Sequence, residues 1–600
     1  MNYQYSALPQ GSFIRYLILK AGQGDEVLEC SLCSHSLDEP PDHEAISYVW
    51  GQPERNHIIL CDGHVIKITQ NLSNVLRRLR LSSKSRALWA DSICINQEDM
   101  EEKGQQVALM ARIYRNAKRT LIYLGDEKEG HAKAAVELIK EINMRIVKTC
   151  ERKDRPWTLF PWLEPEDPVL SDTRWKSVAL LYSSAWFGRG WTVQEAALAQ
   201  EGLAIWGQYE ICWAMLMRFD AWATWRAPSC VQKYGIDAPA LHWYNYFGRN
   251  QHEARFFRED KYLPAVSLLN TLESVRTLGL TDPKDRIYAF LEVLVSDGEG
   301  EPETGLQVRT NYLQSFLDVY KDFAIEHIQK KRKVELLDYV QHTQQTLDAK
   351  LPSWVPRWDI RLEGGCRLYI PRWQALTDRS LSIHGPSMIG TKLSVRATVL
   401  DSIVHVSEVI TPEVTLDDIA QIWKTVVQIN IPTPYPPLYR LHAFMETLRG
   451  DISQGDVETF RRSQAAYLLE IHQKTSDLEA IDIQYWKETA KYGDVDFYHS
   501  LIRCLLPGKR IFLTQRGYLG AAYSVTRTAD RCGIIFGCKT PSVLRHTETE
   551  NTYKLLGGAY ITGTTLQIDR EIFRGFTLLG RKESKDWTEW DVQEEDIVLC

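Results

Sequence analysis

The chain has 600 residues, of which 44% are hydrophobic and 25% are charged, and its formal net charge is −7. This length exceeds what one hydrophobic core can organise, so we expect roughly two or three domains. The composition excludes a disordered, collagenous or coiled-coil protein, and the negative charge argues against a broad surface for nucleic acid or for an anionic membrane.

The sequence gives no sign of secretion or of a membrane span. Its start, MNYQYSALPQGSFIRYLILK, has no basic segment followed by an apolar one, so we expect no secretory signal. No uninterrupted apolar run reaches the roughly 18 residues that a spanning helix needs. The 12 cysteines are scattered, which is ordinary in a reducing compartment. We therefore expect a soluble cytoplasmic protein.

Residues 1–200 alternate between strand-like and helix-like segments. Apolar runs at 43–51 and 120–126 are typical of buried strands, and residues 88–95 are predicted to form a central strand. Strands that alternate with helices predict an α/β domain with a mainly parallel sheet and flanking helices.

Turn and cap residues sharpen the prediction for residues 57–79. Asp62-Gly63 separates two β-branched runs, which favours a hairpin with a tight turn. A helix is predicted next, with Thr69 or Asn71 as its N-terminal cap. Its apolar face consists of Leu72, Val75, Leu76 and Leu79.

Several further helices are predicted in the same region. The first has apolar residues at helical spacing between Val107 and Ala117, with Glu101 and Glu102 near its positive end. Helical patterns also occur in HAKAAVELIKEINMRIVK, RWKSVALLYSSAW and WTVQEAALA, the last of which begins at Trp191.

The pattern changes twice beyond residue 200. Residues 201–505 are predicted to be a helix-rich middle region. Residues 506–600 contain short β-runs broken by glycine, which predicts a small, mostly β unit.

Polar and aromatic residues occur where the predicted strands of residues 1–200 end or where the next helix begins. In an open α/β sheet, ligands bind in the crevice beyond the carboxyl ends of the strands. The alternative is that these side chains cap loops and pack. The candidate ligand-binding residues are Ser47, Trp50, Asp91, Asn96, Gln97 and Trp191, with Glu195 as a candidate acid.

Other chemistry is not supported by the sequence. The chain has no G-x-x-x-x-G-K-[ST], H-E-x-x-H or G-x-S-x-G motif. Cys30, Cys33, His35 and His43 are too closely spaced for a typical zinc site. We therefore expect no bound metal and no cofactor.

Three long blocks resemble the signature of the fungal heterokaryon incompatibility (HET) domain. They are HEAISYVWG, LWADSICINQEDMEEKGQQVALMARIYRNAKRTLIYLGD and WFGRGWTVQEAALA, in the order and spacing of that family, within residues 43–200. Later segments, including DPKDRIYAFL, LPSWVPRWD and RIFLTQRGYLG, resemble the extended architecture of such proteins. The resemblance therefore predicts a HET domain at 1–200, with its core at 43–200.

This resemblance implies a fungal non-self recognition protein whose HET domain triggers cell death or growth arrest. The expected mode of action is signalling through protein partners or self-assembly, with no role for nucleic acid. HET domains are thought to be remotely related to TIR domains, some of which cleave NAD with a Glu that follows a Trp by four positions. Trp191 and Glu195 have this spacing. The resemblance thus offers an alternative function, an NAD glycohydrolase with an ionised Glu195 as the catalytic residue and NAD as the substrate.

Overall fold

A computed structural model describes most of the chain, which divides into two compact units. The first unit is Met1–Gly305 with Arg309–Phe316, and the second is Leu306–Val308 with Leu317–Cys600. The described residues are 1–127, 129–153, 161, 163–164, 166–236, 267–293, 306, 308–361, 385–435, 440–449, 457–475, 483–562 and 592–600.

The first unit is built on a nine-stranded sheet. The strands are β1 (Phe13–Leu19), β2 (Glu29–Ser36), β3 (Glu44–Ser47), β4 (His57–Cys61), β5 (His64–Ile68), β6 (Arg86–Trp89), β7 (Arg119–Gly125), β8 (Gly202–Trp206) and β9 (Tyr209–Cys212). They lie in the order β5-β4-β2-β1-β6-β3-β7-β8-β9.

The sheet is mixed, so the prediction of a mainly parallel sheet was wrong. Strands β6, β3, β7 and β8 are parallel neighbours at its centre. Strand β1 is antiparallel to β2 and β6, and β4–β5 and β8–β9 are antiparallel pairs. The cause is connection length, because a two-residue turn such as Asp62-Gly63 can only join antiparallel strands.

Helices accompany this sheet along the chain. They are α1 (Gln70–Leu79), α2 (Asp91–Cys94), α3 (Met100–Asn116), α4 (His131–Lys153), α5 (Trp175–Tyr182), α6 (Trp191–Ala197), α7 (Trp213–Arg226), α8 (Pro228–Lys233), Leu268–Ser274 and Asp285–Tyr288.

The hairpin and the first helix are confirmed. Asp62 and Gly63 have φ angles of +49° and +82°, as the predicted tight turn requires. The Thr69 side chain accepts a hydrogen bond from the backbone N–H of Leu72, so it is the cap of α1. The predicted apolar face of this helix is buried.

The predicted strand over residues 88–95 is wrong in its second half. Strand β6 ends at Trp89, and residues Asp91–Cys94 form one helical turn. The Asp91 carboxylate accepts a hydrogen bond from the N–H of Ser92, which favours a turn. Ile93 and Ile95 are buried all the same. A short apolar run cannot distinguish a buried turn from a strand.

The second unit contains a closed ring of strands. The strands are β10 (Ser387–Ile389), β11 (Lys392–Val406), β12 (Lys509–Thr514), β13 (Leu519–Tyr523), β14 (Arg531–Ile535), β15 (Ser542–His546), β16 (Thr552–Ile561) and β17 (Glu594–Leu599). The order β11-β12-β13-β16-β15-β14 returns to β11, because β11 pairs with β12 and also with β14. The ring is therefore a small antiparallel barrel, in which closure removes the exposed sheet edges.

Strand β11 comes from the region that we predicted to be helix-rich. It has 15 residues, and its register shifts between Val399 and Asp401 and again between Ile403 and His405. Such bulges bend a strand and let it turn a barrel corner. The β region therefore begins well before residue 506.

Helices in the second unit pack around a large apolar core. Trp423, Phe444, Leu468 and Ile502 are all buried in this core. The helices of this unit are Phe316–Lys331, whose first residue belongs to the first unit, Gln344–Leu347, Leu416–Gln428, Arg440–Arg449, Val457–Thr475, Ile483–Thr489 and Val495–Leu505. Over the described part of the chain, no helix is both long and apolar enough to cross a bilayer.

Candidate functional site

The register of the central strands brings two predicted site residues to one edge of the first unit's sheet. Strands β3 and β6 are parallel, and Ala45 is paired with Trp89. Ser47 and Asp91 each lie two residues beyond that pair, so both stand at the carboxyl ends of their strands. Trp50 follows β3 into the same region, where ligands bind in open α/β sheets.

Asp91 holds Trp50 in place. The Trp50 indole N–H donates a hydrogen bond of 2.8 Å to Asp91 Oδ2, and the N–H of Ser92 donates one of 2.7 Å to Oδ1. Gln97 Nε2 donates to the backbone carbonyl of Asp91 at 2.9 Å. Three of the predicted site residues therefore form one connected group.

Glu195 belongs to a buried cluster below this edge. The Ser47 hydroxyl donates a hydrogen bond to Glu195 Oε2 and accepts one of 2.7 Å from the Trp186 indole N–H. Glu195 is 2% exposed and Ser47 is fully buried. Helix α6 contacts β3 and β7, which brings the Glu195 carboxyl group against the sheet. The sequence thus placed Ser47 and Glu195 correctly in one neighbourhood.

Burial changes the charge expected for Glu195. It raises the pKa of this carboxyl group from 4.5 to about 7, although the Arg189 guanidinium and the Ser47 hydroxyl act in the opposite direction. The expectation of a fully ionised acid was therefore wrong. The helix dipole is a weak influence here, because Glu195 is the fifth residue of a seven-residue helix and is removed from water.

Arg189 lies between the two acids. Its guanidinium donates a hydrogen bond to the Tyr48 carbonyl and lowers the pKa of both Asp91 and Glu195. Burial outweighs this effect at Asp91 too, so the pKa of Asp91 is raised.

Trp191 has a carboxylate partner outside the predicted site. Its indole N–H donates a hydrogen bond of 3.0 Å to Asp285 Oδ2, and the Tyr312 hydroxyl donates one of 2.5 Å to Asp285 Oδ1. Burial raises the pKa of Asp285 to about 6. The carboxylate therefore ties three distant parts of the first unit together.

A cavity of about 1100 Å³ opens between these groups. Its size is at the upper end of the range for small-molecule and cofactor sites. The predicted residues that line it are Trp50, Asp91, Gln97 and Trp191. The predicted residues that do not line it are Ser47, Asn96 and Glu195.

Asn96 instead secures a loop. Its side-chain oxygen accepts a hydrogen bond of 3.3 Å from the N–H of Glu98, and its own N–H donates to Glu102 at 2.8 Å. Glu102 in turn pairs with the buried Arg15. For Asn96, the geometry follows the alternative interpretation, in which the polar residues after β6 fix a loop.

Sequence reasoning missed several residues that line the cavity: Lys103, Arg189, Lys284, Asp285 and Tyr312. Arg189 lies within the third HET-like block, and Lys284 and Asp285 lie in DPKDRIYAFL. That segment contained the signal, but spacing alone could not show that residue 285 meets residue 191. Among the described residues, no group of three or more His, Cys, Asp or Glu side chains is arranged to hold a metal.

Two regions of the chain match known protein families. Residues 43–195 match the family described as heterokaryon incompatibility protein (HET), and residues 454–573 match the Het-6 beta-barrel domain. The chain is therefore a HET-domain protein. The barrel match includes β12 to β16, whereas β11, which closes the ring, precedes it.

A curated relative matches across both regions. The chain is 24% identical over 622 aligned residues to heterokaryon incompatibility protein 6, OR allele, from Neurospora crassa. The alignment covers 89% of this chain and 91% of the relative. No solved structure matches the chain.

Proposed function

We propose that this chain is a fungal non-self recognition protein in heterokaryon incompatibility, and that its HET domain triggers cell death or growth arrest by signalling or assembly. The observation that carries the proposal is the collinear similarity to an incompatibility protein over 89% of the chain. The match extends over the HET domain and the barrel, so it is not a likeness of one module alone.

Signalling is favoured over catalysis by the position of Glu195. This carboxyl group is 2% exposed, is hydrogen-bonded to Ser47 and does not line the cavity. A catalytic carboxylate must touch the reacting atoms. The proposed partners are proteins, either other incompatibility components or further copies of this chain, acting in the cytoplasm.

The proposal is tested by deleting the gene and pairing the strain with incompatible testers in forced heterokaryons. We expect the deletion to restore growth with at least one tester, and reintroduction of the full-length gene to abolish it. Unchanged compatibility with every tester, together with harmless overexpression of the accumulated protein, would contradict the proposal.

A second candidate function is cleavage of NAD at the nicotinamide–ribose bond. Asp91 and Arg189 line the cavity and also interact electrostatically with Glu195, so the acid lies one layer below the cavity wall. Nicotinamide would leave with the electron pair of the broken C–N bond. Water would then add to the ribose carbon and lose a proton, and a carboxylate stabilises the oxocarbenium-like transition state between these steps. A TIR-like origin of the domain belongs to this candidate.

Replacing Glu195 separates the two candidates. Glu195→Gln preserves the size of the side chain and removes its charge. Signalling predicts that the variant still kills when it accumulates normally, whereas catalysis predicts that killing and nicotinamide release are both lost. Glu201→Gln, at an exposed acid in the same unit, is the matched control.

A further inference from the structure

One wall of the cavity lies outside the HET match. Lys284, Asp285 and Tyr312 line the cavity, but the match ends at residue 195. All three residues belong to the first unit. The site is therefore composite, and its second wall adds charged and aromatic side chains that the HET match does not include.

Two indole rings of the cavity are held by carboxylates. Trp50 donates its indole N–H to Asp91 at 2.8 Å, and Trp191 donates its N–H to Asp285 at 3.0 Å. Because both N–H groups already have acceptors, each tryptophan offers a ligand its ring rather than a donor. Fixed aromatic rings are suited to stacking on a flat ligand.

Basic side chains outnumber acidic ones around the cavity. The basic residues are Arg55, Lys67, Lys103, Arg189 and Lys284, and the acidic residues are Asp91, Asp282 and Asp285. Two of the three carboxylates are engaged by the indole groups, and Asp282 pairs with Lys284 at 3.3 Å. The lining therefore has an excess of positive charge, which favours an anionic ligand.

Two lysines converge on one ring in the second wall. The ammonium groups of Lys103 and Lys284 lie 4.5 and 5.6 Å from the centroid of the Tyr312 ring. Lysine binds phosphate as a compact point charge with three donors. Trp191 is linked through Asp285 to Tyr312, so it stands on the same side as these lysines. Trp50 is then the ring that remains for a base.

We propose that the cavity binds a nucleotide, with its phosphates between Lys103 and Lys284 and its base against the Trp50 ring. The inference concerns the cavity of the NAD candidate and rests on that candidate only for the location. It requires binding and no cleavage, and it extends the site beyond the HET match.

The test is calorimetric titration of the full-length chain with ATP, adenosine and inorganic tripolyphosphate. We expect ATP to bind more tightly than either fragment, because only ATP carries both the base and the phosphates. The double variant Lys103→Gln/Lys284→Gln should weaken ATP binding by about tenfold or more and leave adenosine binding nearly unchanged. Trp50→Leu should weaken binding of both ATP and adenosine.

Lys118→Gln is the matched control, because Lys118 is exposed in the same unit and does not line the cavity. The proposal is overturned by any of three results: no ATP binding to a chain that melts cooperatively, tripolyphosphate binding as tightly as ATP, or an equal loss in the Lys118 control. Nicotinamide release is measured on the same samples with NAD. Nucleotide binding without release would remove the NAD candidate and leave this inference standing.

Discussion

The Trp191 indole N–H donates a hydrogen bond to the carboxylate of Asp285, which is 94 residues further along the chain. The same carboxylate accepts the Tyr312 hydroxyl, so one buried acid joins helix α6 to two segments beyond the HET match. This acid is the structural link between the two walls of the cavity.

Asp285→Asn should destabilise the first unit. The amide has one oxygen for two donors, so either the Trp191 N–H or the Tyr312 hydroxyl is left without an acceptor. We expect a loss of about 1–3 kcal/mol in the free energy of unfolding, measured by urea denaturation with tryptophan fluorescence. The control is Asp282→Asn, which weakens a partly exposed pair with Lys284 and should cost less than about 1 kcal/mol. Equal losses in the two variants would show that Asp285 has no special role.

Glu195 should make the protein less stable as pH rises from about 4.5 to about 7. The folded carboxyl group has a pKa of about 7 and the unfolded group one of 4.5, so the folded state holds more protons within this window. Stability from this group is complete below pH 4.5, falls through the window and is constant above it. The loss amounts to about 3 kcal/mol. Denaturation of wild type and Glu195→Gln at several pH values tests it, because the variant should lack this decline.

Ser47→Ala should raise the pKa of Glu195 further and destabilise the fold. The substitution removes the hydroxyl that donates to Glu195 and accepts from Trp186, so a buried indole N–H loses this acceptor. We expect a cost of about 1–3 kcal/mol, and a pH-dependent decline in stability that extends to higher pH. Ser47→Thr retains a hydroxyl and should retain more of both properties. An unchanged pH profile in Ser47→Ala would contradict the proposed coupling.

Gly517→Ala should disrupt the barrel of the second unit. Gly517 has a φ of +84°, and a Cβ there would lie 2.0 Å from the carbonyl oxygen of Pro432. We expect a cost of more than about 2 kcal/mol, since both the backbone and the contact are unfavourable. Gly390 has a φ of +62°, and a Cβ there would meet no other atom within 4 Å, so Gly390→Ala should cost only about 1 kcal/mol. Thermal melting of the two variants provides the comparison.

Local features of the fold could be predicted because their causes are local. The Asp62-Gly63 turn and the Thr69 cap depend on neighbouring residues, and both are present. The sheet direction failed because strand β1 is inserted between β2 and β6 as an antiparallel neighbour of both. Nothing in a linear pattern shows which strands become neighbours.

The site shows the same division. The carboxyl ends of parallel strands predicted that Ser47, Trp50 and Asp91 would meet, and they do. The ionisation of Glu195 was missed because burial depends on the packing of α6 against the sheet. Asp285 was missed because its partner is Trp191, far away in the sequence.

Strand β8 begins at Gly202, after the HET match ends at residue 195, and it pairs with β7 near the middle of the sheet. A fragment cut at residue 200 would expose the β7 backbone as a bare edge, with its N–H and C=O groups open to other chains, and would tend to aggregate. The boundary recognised by sequence similarity is thus shorter than the folding unit. A recombinant fragment intended to stay monomeric should extend at least to Phe316.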